Sequence, residues 1–133
     1  MASSNTSPKT SATPRALTLL RAMAVITAVA AAIQAILGLY LRTSPAFHAH
    51  TAVAGIALVA SVVAAVAAGR WARASGNRGL AGHAVSLPLL AVAQWALGEL
   101  GVTMIHIVVG LLFLLDAVAL VTLVYRKPGR VAR

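Results

Sequence analysis

Four long apolar blocks alternate with short polar connections along the chain. The blocks run approximately over residues 22–41, 50–69, 80–100 and 103–125. Each reaches the roughly 20 apolar residues that a helix needs to cross a bilayer. The connections are short, so consecutive helices are expected to lie side by side and run in opposite directions. The pattern predicts an all-α integral membrane protein folded as an antiparallel four-helix bundle.

Two polar tails flank the blocks. Residues 1–14 are rich in Ser, Thr and Pro and are predicted to form a disordered cytoplasmic tail. Residues 128–133 are predicted to form a basic cytoplasmic tail. The four-span membrane domain lies between the two tails and is predicted to cover residues 15–127. Composition agrees, because 60% of the residues are hydrophobic and 10% are charged. The chain has no cysteine, which excludes disulfides and thiolate metal sites.

The basic side chains are distributed unevenly about this pattern. Of the 11 Lys and Arg residues, Arg42 alone falls on the outer side of a four-span arrangement. The positive-inside rule therefore predicts a multi-pass protein of the cell membrane with both termini in the cytoplasm. The basic side chains behind the net charge of +9 are then expected to contact lipid headgroups, so the lipid bilayer is the first expected partner. The charge does not indicate nucleic-acid binding.

An internal two-helix repeat relates the halves of the chain. The segment QAILG at 34–38 matches QWALG at 94–98 with a displacement of 60 residues. Beyond the first connection the displacement becomes 56, which aligns His50 with His106. Each histidine precedes an arginine of the cytoplasmic side by 20 residues, or about 30 Å of helix. Both imidazoles are therefore predicted at one level near the outer surface, facing each other across the bundle.

Amide and small side chains are predicted near the two histidines. The candidate cofactor-contacting residues are Gln34, Gln94, Ala54 and Gly110. The two amides should face inward, because an amide in lipid loses its hydrogen bonds. The two small residues follow their histidines by one helical turn and are expected to leave space for a flat ring. Two imidazoles on opposite helices supply both axial ligands of a haem b iron, so His50 and His106 are the candidate metal ligands.

Two residues near the outer connection are further candidates for the same site. Arg42 is expected either to pair with a haem propionate or to anchor the chain at the interface. His48 precedes His50 by two residues and so points to the opposite face of a helix. It is predicted to be a surface residue, a support for the ligands or a propionate contact.

The Gln-x-x-Leu-Gly stretch, the short outer connection and the histidine that opens the next span resemble one four-helix half of the haem A synthase family. The resemblance covers about residues 20–126. It implies that His50 and His106 are haem ligands, because each half in that family carries a histidine pair at the outer ends of its second and fourth helices. The family has eight spans, a number that a homodimer of this chain would reach. A weaker similarity exists to cytochrome b561-type four-helix membrane haem proteins.

The main functional prediction is thus a small haem b protein for electron transfer or haem handling, with a respiratory or haem-biosynthesis membrane protein as partner. Two alternatives remain open: a proton-coupled transporter that uses Asp116, and a structural subunit of a larger complex. Asp116 lies near the bilayer centre, where an acidic side chain costs at least about 2.5 kcal/mol. We expect a protonated Asp116 to be hydrogen-bonded to Ser61, and His83 to lie without function in the headgroup region.

Overall fold

The computed structural model describes residues 12–40 and 44–131, and its regular elements are four helices. They are α1 (Ala12–Leu39), α2 (Ser44–Ser75), α3 (Arg78–Glu99) and α4 (Thr103–Arg126). The last two helices agree closely with their predicted blocks, whereas α1 begins well before residue 22 and α2 extends past its block at both ends. The tail predicted to be disordered overlaps α1 at residues 12–14, and its remaining residues lie outside the described part of the chain.

Each helix contains a stretch that is long and apolar enough to cross a membrane. These stretches are Pro14–Leu39, Pro45–Ser75, Arg78–Glu99 and Thr103–Arg126. Even the shortest, with 22 residues, measures about 33 Å, slightly more than the roughly 30 Å of a hydrocarbon core. Length and composition are therefore those of a multi-pass membrane protein.

Small side chains fill the interior, and large apolar side chains cover the outside. Most of the buried hydrophobic residues are alanines: Ala16, Ala24, Ala30, Ala31, Ala57, Ala60, Ala64, Ala67, Ala68, Ala84, Ala91 and Ala117. Valine, isoleucine and leucine dominate the exposed large residues. A water-soluble bundle would bury its large apolar residues and expose polar ones. Small residues between helices and bulky ones outside are the arrangement that lipid favours.

The helices form a closed ring in which each contacts two others. α1 packs against α2 and α4, and α3 packs against the same two helices. Two fully buried polar residues satisfy their hydroxyl groups within their own helices. Thr27 donates to the carbonyl of Met23 at 2.8 Å, and Ser61 donates to the carbonyl of Leu58 at 2.7 Å. Such local bonds let a hydroxyl lie inside an apolar interior without an interhelical partner.

The connection between α2 and α3 is held by the segment that follows α4. Gly76 adopts a φ of 72°, which a residue without Cβ reaches without strain. Asn77 then caps α3, because its Oδ1 accepts a hydrogen bond from the Leu80 amide at 3.1 Å. The Asn77 Nδ2 also donates to the carbonyl of Lys127 at 3.0 Å, and Trp71 donates to the carbonyl of Pro128.

The first helix joins the same end of the protein. The Arg21 Nε donates to the carbonyl of Val124 at 3.2 Å, and the guanidinium carbon lies 5.2 Å from the centre of the Tyr125 ring. A guanidinium over an aromatic face is attracted by the ring quadrupole. Parts of all four helices therefore meet at the end of the protein where α1 and α3 begin.

A tight turn between α3 and α4 brings the chain to His106. The amide of Val102 donates to the carbonyl of Leu97 at 3.2 Å, and Gly101 has a φ of 68°. This combination is a Schellman motif, which ends a helix abruptly. His106 follows in the first turn of α4, where its amide bonds to the carbonyl of Val102 at 2.9 Å.

Candidate functional site

The structure brings the imidazoles of His50 and His106 together. Their ring centres lie 6.2 Å apart, and the planes are inclined by 48°. His50 belongs to α2 and His106 to α4, the two helices that both pack against α1 and α3. Both residues are half-buried. The pair therefore lies where side chains of opposite helices meet, 20 residues or about 30 Å of helix from Arg70 and Arg126.

A main-chain carbonyl orients the His106 ring. Its Nδ1 lies 3.1 Å from the carbonyl oxygen of Gln94, which accepts the hydrogen bond, so the proton is on Nδ1. Nε2 of the neutral ring then carries the lone pair that a metal ion requires. The ring also lies close to Gly98, where a Cβ would come within 3.4 Å of the His106 Cε1.

The His50 ring has a similar neighbour but a less complete set of bonds. The repeat aligns Gln34 with Gln94, so the main-chain carbonyl of Gln34 is the corresponding candidate acceptor for the His50 ring. However, the buried Nδ1 of His50 has no hydrogen-bond partner. The bond from a histidine Nδ1 to a main-chain glutamine carbonyl is therefore formed in the second half of the chain, by His106 and Gln94.

The side-chain oxygens of both glutamines are buried and lack partners. A Cβ added to Gly110 would lie only 2.6 Å from Nε2 of Gln94, so this amide occupies the volume beside the glycine. The expectation that Gly110 leaves open space for a ring is therefore wrong as stated. Ala54, the corresponding residue on α2, is half-buried.

His48 and Arg42 have no demonstrated place in this site. His48 is exposed, and its ring packs edge-on against Phe47 with a centre-to-centre distance of 6.0 Å. Arg42 lies outside the described residues. Within residues 12–40 and 44–131, no three His, Cys, Asp or Glu side chains are grouped as a metal site. Metal ligation by the described side chains at this level would therefore use the histidine pair alone.

A second polar cluster lies between α3 and α4, and sequence reasoning missed it. Oδ1 of Asp116 lies 3.1 Å from Nε2 of His83, and Oδ2 lies 2.6 Å from the hydroxyl oxygen of Ser86. Two predictions are corrected by these contacts. Asp116 does not pair with Ser61, which donates to a carbonyl within α2. His83 contacts the carboxyl group of Asp116 on the neighbouring helix α4, whereas the sequence predicted a residue without function in the headgroup region.

A signal for this cluster was present in the sequence. His83 and Ser86 are three residues apart, so they share one face of a helix. The arrangement is not that of a nucleophilic triad, in which histidine lies between serine and aspartate. Here the carboxyl group of Asp116 lies between the other two side chains. The geometry therefore suits the holding of a proton and offers no activation of the Ser86 hydroxyl by the imidazole.

Compared with protein-family models, with curated proteins and with solved structures, the chain matches none of them.

Proposed function

We propose that the protein is a small membrane haem b-binding protein, ligated by His50 and His106 near the outer face, for electron transfer or haem handling. The distance of 6.2 Å between the two ring centres carries this proposal. When two imidazoles bind opposite sides of one metal ion, each metal–nitrogen bond is about 2.0 Å long and each nitrogen lies about 1.1 Å from its ring centre. The two ring centres are then about 6 Å apart. The observed separation of the ring centres is close to this value, which supports bis-histidine ligation.

The hydrogen bond of the His106 ring supports the same assignment. Metal-binding histidines almost always donate their second N–H to a carbonyl, carboxylate or water, as His106 does to Gln94. The buried Nδ1 of His50 and the buried Oε1 atoms of Gln34 and Gln94 lack partners. Unsatisfied buried groups of this kind are rare in native proteins and often mark a functional site. A bound haem would supply one-electron exchange at its iron.

Room for such a group depends on Gln94. Its amide lies against Gly110, so the volume beside this glycine opens only when the Gln94 side chain rotates away. Rotation is inexpensive because the group in the way is the end of a flexible side chain. The lack of a partner for its Oε1 means that no hydrogen bond at this atom opposes the movement. Gln94 is therefore the residue that admits or excludes a planar ligand.

An antiparallel arrangement with an internal repeat forms part of the proposal. Residues 31–40 and 91–100 have the same order of buried, half-buried and exposed positions. The start of α1 contacts the end of α4, through Arg21 and Val124. The start of α3 contacts the segment after α4, through Asn77 and Lys127. These contacts support opposite directions for α1 and α4 and for α3 and α4.

The same contacts support a cytoplasmic location for the termini in the cell membrane. Arg21, Arg126 and Lys127 belong to the end where α1 and α3 begin, and the histidine pair belongs to the other end. The positive-inside rule assigns the basic end to the cytoplasm. The histidine pair then faces the outer side, within reach of a redox or haem-handling membrane protein, and a homodimer would combine two such sites.

Haem titration of the full chain tests the proposal. The purified protein in lipid nanodiscs is expected to bind one haem b, with a low-spin Soret band and sharp visible bands after reduction. His50→Ala and His106→Ala should each abolish the low-spin spectrum. Their loss of affinity should exceed the roughly 10- to 100-fold that removal of a supporting hydrogen bond causes.

His48→Ala is the matched control, because it removes an exposed histidine two residues from His50. This variant should bind haem as the parent does. Absence of stoichiometric binding to the folded parent, or unchanged binding by both His50→Ala and His106→Ala, would overturn the proposal. Size measurement of the haem-loaded protein then tests the homodimer separately.

A further inference from the structure

The cluster of His83, Ser86 and Asp116 lies on the facing sides of α3 and α4, away from the histidine pair. Asp116 is ten residues beyond His106, or about 15 Å along α4. The side chains of His83 and Asp116 are 25% and 17% exposed. Both belong to helices that are apolar enough to cross a membrane. An ionisable group in such a position is expensive and usually functional.

The contacts of Ser86 define where protons lie. Its hydroxyl oxygen is 2.5 Å from the carbonyl oxygen of His83 and 2.6 Å from Oδ2 of Asp116. A hydroxyl group has one hydrogen, whereas the carbonyl can only accept. When Ser86 donates to the carbonyl, the short contact with Oδ2 requires a proton on the Asp116 carboxyl group. When Asp116 is ionised, Ser86 donates to Oδ2 instead.

His83 contacts the other oxygen of the Asp116 carboxyl group. Its Nε2 lies 3.1 Å from both Oδ1 and the main-chain oxygen of Asp116. Both oxygens accept, so Nε2 carries a hydrogen. Two states therefore hold the same number of protons in the same heavy-atom positions. One is an imidazolium beside a carboxylate, and the other is a neutral imidazole beside a carboxylic acid.

The other charged groups on the four helices lie at the following positions relative to this cluster. From α1, Arg21 bonds to the carbonyl of Val124 and covers Tyr125. From α2, Arg70 and Arg73 lie near its end, and Arg78 begins α3. Glu99 is the last residue of α3, and His106 lies in the first turn of α4. Arg126 is the last residue of α4. In the described part of the chain, the ion pair that the structure records for Asp116 is with His83.

The first half of the chain lacks this cluster. The displacements of 60 and 56 residues align His83 with Met23, Ser86 with Ile26 and Asp116 with Ala60. Those three apolar residues line a common groove between α1 and α2. A helix pair of this type therefore packs without a polar cluster. Packing alone does not explain why the second half carries one.

We propose that His83, Ser86 and Asp116 form a proton-binding site within the membrane, which takes up and releases one proton as a unit. In the loaded state the cluster is neutral overall. Release of the proton to water leaves a neutral imidazole and a carboxylate with a net charge of −1. His83 is five residues from the start of α3, or about 7.5 Å, so the proton exchanges with the basic end of the protein. The site functions independently of haem.

Infrared spectroscopy as a function of pH tests this site in the full chain in lipid nanodiscs. The chain has two acidic side chains, Asp116 and Glu99, so few carboxyl signals overlap. The Asp116 signal should vanish in Asp116→Asn and persist in Glu99→Gln, the matched control. In His83→Gln the pH dependence of this signal should change, because the carboxyl group loses the imidazole whose Nε2 lies 3.1 Å from its Oδ1.

Histidine NMR gives a second and independent measurement. The chain has four histidines, so the His83 signals can be assigned by single substitution. In Asp116→Asn the pH dependence of the His83 signals should change, because the imidazole loses the carboxyl group that it contacts. Ser86→Ala should move both midpoints less, and it replaces Asp116→Asn if that variant does not fold. Midpoints of Asp116 and His83 that do not depend on each other would overturn the proposal, whether or not the protein binds haem.

Discussion

The main-chain carbonyl of Gln94 accepts a hydrogen bond of 3.1 Å from Nδ1 of His106. This bond determines which ring nitrogen keeps its lone pair and connects the end of α3 to the first turn of α4. The corresponding Nδ1 of His50 is buried and has no hydrogen-bond partner. The two halves of the site therefore differ in how firmly the imidazole is oriented.

Substitution of Gly98 should disturb the His106 ring selectively. A Cβ at Gly98 would lie 3.4 Å from the His106 Cε1, an ordinary contact, so Gly98→Ala should be tolerated. The additional methyl groups of Gly98→Val should displace the ring and lengthen its bond to Gln94. Haem affinity should fall about 10-fold, as expected for loss of a supporting hydrogen bond. Haem titration and histidine NMR measure the two effects.

Gly38→Val is the matched control for this substitution. Gly38 is the equivalent residue of the first half, and a Cβ there would meet nothing within 4 Å. The control should retain the parental affinity. Equal losses of affinity in Gly98→Val and Gly38→Val would show that contact with His106 is not the cause.

Replacement of the polar pair by its first-half counterparts should preserve the fold. His83→Met alone leaves Asp116 without its partner and should reduce stability by about 1–3 kcal/mol, since an unpaired acidic group remains in an apolar setting. The double variant His83→Met, Asp116→Ala carries at each position the residue type of the first half, Met23 and Ala60. It should recover most of the lost stability. Denaturation in detergent, followed by circular dichroism, measures both. Additive losses in the double variant would contradict this prediction.

The two roles of Asn77 can be separated by substitution. Asn77→Ala removes the cap of α3 and the bond to Lys127, and should cost about 1–2 kcal/mol. Asn77→Asp keeps the oxygen that accepts from the Leu80 amide and removes only the donor to Lys127. It should therefore lose clearly less stability in the same denaturation assay. Equal effects of the two variants would exclude capping as the main contribution.

Single cysteines can test the orientation, because the chain contains no cysteine of its own. Thr103 and Arg130 are exposed; Thr103 begins α4, and Arg130 follows the other end of this helix by four residues. A membrane-impermeant maleimide should label Thr103→Cys in intact cells, and Arg130→Cys only after lysis, because the basic end is retained in the cytoplasm. The reverse labelling pattern would place the histidine pair on the cytoplasmic side.

The number and approximate positions of the spans were predictable from hydropathy alone. Ten residues were nevertheless missed at the start of α1, because its first turns carry Arg15 and Arg21 among the apolar residues. The common level of His50 and His106 was also predictable. Axial height follows directly from residue count, at about 1.5 Å per residue, once the register of the two halves is known.

Rotation of each helix about its axis could not be predicted in the same way. Apolar residues occur on all faces of these helices, and their few polar residues do not form a continuous stripe that indicates which side turns inward. Close contacts between small residues set the rotation, and these form only when the four helices pack together. Packing of this kind placed the Gln94 amide against Gly110 and turned Asp116 toward His83 and away from Ser61. The sequence by itself determined which segments are long and apolar enough to cross a membrane, because hydropathy and length are local properties, and the tertiary structure decided which of their side chains meet.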